Sequence, residues 1–85
     1  MNELELAVIK RVKFVVGKKD VRPESALVDD LLVDSLAFIR LVVDLETHFD
    51  MMFEDEDMVI EQFPTVNDLF RYIADKSVTD SRSAL

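Results

Sequence analysis

Asp34-Ser35-Leu36 is the stretch of this sequence in which residue types and spacing could set up chemistry. An amphipathic run follows it to Phe49. Asp34 suits the N-cap of that run, because its carboxylate can accept from orphan backbone N–H groups one turn on. Ser35 then takes the first helical position, with its short side chain toward solvent. The backbone donors and the positive end of the helix dipole beside it suit a phosphate bonded to the serine oxygen. Taken alone the tripeptide is a weak motif, since most serines at helix starts are simply caps.

Other chemistries find no support. His48 is the only histidine and lies thirteen residues beyond Ser35. Along a helix that is about 20 Å, too far for a hydrogen-bonded nucleophile and base. With no cysteine, a disulfide framework, a thiolate metal site and a native thiol nucleophile are all excluded, so thioester chemistry would need an added thiol. One glycine cannot build a glycine-rich phosphate loop. The acid run Glu54-Asp55-Glu56-Asp57 lacks the alternating ligands and the glycine of a calcium loop, and no metal site is expected. A self-sufficient enzyme is not indicated.

The helix behind Ser35 has an unusual wheel. At about 100° per residue, Phe38, Leu41, Val42, Leu45 and Phe49 form one core stripe. Leu36, Ile39 and Val43 form a second apolar arc nearly opposite. Arg40 and Thr47 lie beside that second arc; Ala37, Asp44 and His48 take one flank and Glu46 the other. A small domain buries one face of a helix, so an apolar second stripe next to an exposed serine suggests a docking surface for another protein.

These residues resemble the acyl and peptidyl carrier proteins. The resemblance runs from about Leu27 to Ile73, through Leu27-Val28-Asp29-Asp30-Leu31, Asp34-Ser35-Leu36, Leu41-Val42, Leu45-Glu46 and Phe49-Asp50. It continues through Phe63-Pro64-Thr65-Val66, Asp68-Leu69 and Tyr72-Ile73. It implies a 4′-phosphopantetheine arm, derived from coenzyme A, attached to Ser35 by a phosphopantetheinyl transferase that reads Asp34 and Leu36. The arm's thiol would hold acyl or aminoacyl groups as thioesters for a loading enzyme and downstream biosynthetic enzymes. Leu36, Ile39, Arg40 and Val43 are the expected partner-facing residues. Leu32 stands where many members have glycine, and Arg40 where fatty-acid carriers commonly have an acid. Arg40 points toward a specialised pathway (nonribosomal peptide, polyketide or related), with a fatty-acid carrier as the alternative. A different class of protein, an acidic helical adaptor that is never pantetheinylated, would use Leu36, Ile39 and Val43 and keep Ser35 only as part of the helix start.

Composition bounds the answer independently. Eighty-five residues make one domain, and 49% apolar content with a mean hydropathy of +0.12 supports a core. The net charge of −8 is unevenly spread. Six of the ten basic residues precede residue 23, whereas Glu24 to Glu61 holds twelve acids and one base, Arg40. Such a field disfavours nucleic acid and anionic membranes and steers basic protein partners. No apolar run approaches the roughly 18 residues of a membrane span, and Met1-Asn2-Glu3 does not begin a signal peptide. A cytoplasmic monomer is expected.

The pattern predicts an all-α fold, a small four-helix bundle of three longer helices and a short third helix, like that of the acyl carrier proteins. Leu4, Val8, Val12 and Val15, widened by Ile9 and Val16, define a first helix at Glu3–Val16, ended by Gly17. Lys18 to Val33 is a long connection, pinned by Leu27, Val28, Leu31 and Leu32, with a one-turn helix possible near Ser25–Val28. The second helix spans Ser35–Phe49, and Phe53 with one methionine plugs the core beyond it. The short third helix falls around Glu56–Glu61. Thr65, with Asp68, caps a fourth helix striped by Val66, Leu69, Phe70 and Ile73 to about Lys76, lying against the first and second. The carrier domain is residues 1–76, with 77–85 a flexible tail.

Overall fold

In the computed structural model, which describes residues 2–83 and side chains through Lys76, the chain folds around three α-helices. Helix α1 (Glu3–Val16) starts at Asn2, whose side chain accepts from the Glu5 N–H at 2.8 Å. Its end is set by Gly17, which at φ 71° takes the left-handed conformation open to glycine and donates to the Lys13 carbonyl at 2.9 Å. Helix α2 is Ser35–Phe49 and α3 is Val66–Ser83. Among the described residues there is no strand, only an isolated bridge between Ala26 and Thr65.

Helical spacing decides which side chains reach the core. Val8, Ile9 and Val12 of α1, Phe38, Leu41, Val42 and Leu45 of α2, and Val66, Leu69 and Ile73 of α3 are buried in one cluster. Each fully buried aliphatic chain there is worth about 1.5–3 kcal/mol relative to exposure. Phe49, expected on the buried stripe, is only half-buried, because it is the last residue of α2 and packs from the cluster's edge, with His48 against its ring.

Two predicted elements differ. The short third helix around Glu56–Glu61 is replaced by two single 3-10 turns, Asp55–Asp57 and Ile60–Gln62, with Val59 extended between them. Met58 and Ile60 both pack on the core. Residues two apart share a face in an extended chain but point about 200° apart in a helix, so core contact at both positions breaks the helix. The fourth helix does not stop near Lys76: α3 continues to Ser83, since the sequence beyond has no glycine or proline to end it. The last two residues of the expected flexible tail lie outside the described residues.

The Lys18–Val33 connection is pinned, though partly by other residues than expected. Val21, Leu27, Leu31 and Val33 are buried, whereas Val28 and Leu32 project into solvent. Its helical turn falls slightly later than expected, with Asp30 and Leu31 N–H donating to the Ala26 carbonyl and Leu32 N–H to Val28. Leu27 N–H donates to the Pro64 carbonyl and Val66 N–H to Ser25, each at 3.0 Å, which ties the loop to the start of α3. Thr65 and Asp68 close that start reciprocally: Thr65 N–H reaches the Asp68 carboxylate at 3.0 Å, and Asp68 N–H reaches the Thr65 hydroxyl at 3.4 Å.

Helix α3 lies directly on α1, as expected. It shares the buried cluster with α2 as well, and an aromatic relay ties the two. Phe38 of α2 meets Phe63 at 5.8 Å, Phe63 meets Tyr72 of α3 at 5.5 Å, and Phe53 stacks on Tyr72 at 4.7 Å. The link between α2 and α3 thus completes the core.

Candidate functional site at the start of the second helix

Asp34 is extended, at φ −98° and ψ −176°, and its carboxylate accepts from the Ala37 N–H at 2.8 Å. Its carbonyl accepts from Phe38 N–H, also at 2.8 Å. Those bonds fix where α2 begins and put Ser35 on its first turn. Ser35 is exposed. Among the described residues its own N–H and that of Leu36 donate to no other group, so two backbone donors at the positive end of the helix stand beside the hydroxyl. A phosphate ester on Ser35 fits this arrangement, since it brings acceptor oxygens to unsatisfied donors.

Leu32 is held just upstream in the left-handed region, at φ 57°. A leucine there costs about 1–2 kcal/mol, because its Cβ crowds the following carbonyl. The chain turns at this residue so that Val33 is buried, its N–H donating to the Leu27 carbonyl at 2.9 Å. Asp34 follows at the helix cap.

Downstream of the serine, Leu36, Ile39, Arg40 and Val43 are all exposed. Leu36 and Val43 keep more than half their surface open. The second apolar stripe is therefore covered by no other part of the described chain. Beside it opens a shallow groove of about 240 Å³, lined by Ser35, Phe38, Ile39, Met58, Val59, Ile60 and Glu61. Its far wall is the double 3-10 segment. The sequence did not point to this groove, because a helix over 56–61 would aim Met58 and Ile60 in opposite directions. In sequence Met58-Val59-Ile60 is a continuous apolar run, which fits neither period and gives no signal for it.

Charged groups hold the frame around the site. Arg11 of α1 grips Asp44 of α2, and this bond holds the Asp44 carboxyl below its ordinary range despite some burial. Lys76 reaches Glu54 at 2.7 Å, and the bond lowers the Glu54 carboxyl and raises the Lys76 ammonium. Tyr72 accepts from the Glu54 N–H and donates to Asp57, both at 2.9 Å, and burial pushes its hydroxyl up. His48 is exposed at the far end of α2 and lines a groove against Leu6 and Lys10 of α1. It takes no part at Ser35. No group of three or more acids, histidines or cysteines among the described residues could hold a metal ion.

An exposed serine on a capped helix start, within a three-helix frame and beside an uncovered apolar stripe, fits the class of phosphopantetheine carrier domains. Residues 8–73 match the family described as "Phosphopantetheine attachment site". The chain is 40% identical over 79 residues to the acyl carrier protein of Desulforapulum autotrophicum, covering 85% of this chain and all of that protein. It is 46% identical over 59 residues to that of Syntrophobacter fumaroxidans, covering 69% of this chain and 70% of that one. With that of Karelsulcia muelleri it shares 37% identity over 86 residues, 98% of this chain and 99% of the other. The chain belongs to the acyl carrier protein family, and its cofactor is covalently bound 4′-phosphopantetheine. Proteins of this kind are generally carriers that work with a phosphopantetheinyl transferase and with biosynthetic enzymes, and are not enzymes themselves. No described helix is long and apolar enough to cross a membrane.

Proposed function

We propose that Ser35 is the attachment residue and that this chain, itself no enzyme, presents an acyl group to partner enzymes. The observation carrying this reading is the exposed Ser35 hydroxyl beside the undonated N–H groups of Ser35 and Leu36. On attachment, Ser35 Oγ bonds to the pantetheine-side phosphorus of coenzyme A. The pyrophosphate bridge breaks, adenosine 3′,5′-bisphosphate leaves, and the hydroxyl proton passes to the transferase. The bound group supplies a thiol, which this cysteine-free chain lacks, on a tether long enough to visit several enzymes. Asp34 fixes the helix start, so the ester stands on a rigid frame. Leu36, Ile39, Arg40 and Val43 form the surface that partners cover.

The groove lined by Phe38, Ile39, Met58, Val59 and Ile60, together with relatives named acyl carrier proteins, favours an acyl load over an aminoacyl one. Arg40 is the residue that speaks for a specialised pathway. The working unit is residues 1–76, acting as a monomer in the cytoplasm.

The test is intact mass after incubation with coenzyme A and a phosphopantetheinyl transferase. The wild-type chain gains one phosphopantetheine, and Ser35→Ala, still folded by circular dichroism, gains none. Labelling that persists in Ser35→Ala rules out this attachment site. A wild-type chain that takes no label is the adaptor instead.

A further inference from the structure

Leu32 is costly in two ways in the free protein. Its backbone sits at φ 57°, a conformation glycine adopts without strain, and the residue is 71% exposed to solvent. A leucine tolerated in such a turn is ordinarily repaid by burial, and this one is not. Val28, to which Leu32 is hydrogen-bonded one turn earlier, and Leu36, one residue past the serine, are also exposed apolar residues. The left-handed turn therefore holds a large apolar side chain outward three residues before Ser35, at most about 10 Å along the chain.

We infer that Leu32 is a specificity-determining contact for the phosphopantetheinyl transferase, an apolar anchor that the transferase buries while it acts on Ser35. The inference rests on the reading of Ser35 as the attachment residue. Among the enzymes a carrier meets, the transferase must bring a phosphorus atom to Ser35 Oγ itself, so its surface has to close over the residues beside that oxygen. Enzymes that act on the load meet it at the far end of the arm. Burying an apolar anchor at the centre of a contact carries much of its affinity, and Leu32, Asp34 and Ser35 are all exposed, with only Val33 between them turned into the core.

The experiment compares apo wild type with Leu32→Gly, Leu32→Asn and Leu32→Met, using the organism's own phosphopantetheinyl transferase and coenzyme A, with initial rates read by mass. Glycine and asparagine both accept the left-handed turn, so those variants keep the turn and melt no lower than wild type. Each should raise KM for the carrier roughly tenfold with kcat nearly unchanged, and Leu32→Met, which restores apolar bulk, should recover KM to within about twofold. Glycine and asparagine variants modified at the wild-type KM overturn the inference and leave Ser35 standing. A wild-type chain that accepts no phosphopantetheine overturns the Ser35 reading and this one with it.

Discussion

Arg11 of α1 and Asp44 of α2 meet in a two-pronged ion pair, Nε to Oδ1 at 2.9 Å and Nη2 to Oδ2 at 2.6 Å. Both side chains are about three-quarters covered or more, and the fork geometry fixes the mutual rotation of α1 and α2. The Asp44 carboxyl is depressed in the folded state. Its stabilising effect is therefore fully present above the ordinary carboxylate pKa of about 4, and fades as pH falls through the lower folded value. Asp44→Asn should melt below wild type at pH 7, and the gap should close in melts taken progressively below about pH 4. A gap that stays constant to pH 2 would show that the charge contributes nothing.

Phe63 is 3% exposed and touches Phe38, Phe53 and Tyr72. Phe63→Ala should cost about 3–5 kcal/mol in urea denaturation, since it opens a hole where α2 and α3 are joined. Tyr72→Phe removes only the hydroxyl bonds to Glu54 and Asp57 and should cost about 1 kcal/mol. Equal costs for the two would contradict the relay.

Phe49 tests the edge of the core. Being half-buried at the end of α2, it should lose about 1–2 kcal/mol on replacement by alanine, clearly less than Phe63→Ala. A loss matching Phe63 in the same denaturation series would place it inside.

Val43 and Arg40 test the docking stripe. Val43 is 54% exposed, so Val43→Ser should change stability by no more than about 0.5 kcal/mol while weakening a partner enzyme measured by KM. Arg40→Glu should alter association rate and its salt dependence more than melting. Destabilisation by Val43→Ser with unchanged partner kinetics would argue against the stripe as a contact surface.

Helices α1 and α2 were legible to the residue, because their periodicity is strong and their ends carry local signals: Asp34 at one start and Gly17 at one end. Ser35 was legible for the same reason, as its position follows from the cap. What escaped was anything set by contacts distant in sequence. The Arg11–Asp44 pair joins residues 33 apart, and on the wheel Asp44 showed only as a flank residue. The 3-10 segment depends on Met58 and Ile60 finding the core, and the aromatic relay on Phe63 and Tyr72 meeting. In sequence Leu32 looks like a pin for the loop, because hydrophobicity alone does not reveal a left-handed backbone.

The double 3-10 segment gives the groove beside Ser35 two unequal walls. One wall is α2, whose carbonyls are locked in a continuous ladder. The other is fastened at its ends, by Tyr72 to Glu54 and Asp57 and by Leu27 to Pro64, and between them by short-range bonds such as Gln62 to Val59 and Phe63 to Ile60. Met58 and Ile60 anchor the middle of the strip on the core, but it lacks a helix's continuous hydrogen-bond ladder and so opens before α2 does. Width along this groove is thus set by Met58 to Glu61 on one side and by α2 on the other. Amide exchange at residues 58–61 should then be faster than in the middle of α2, whose amides serve as the fixed reference.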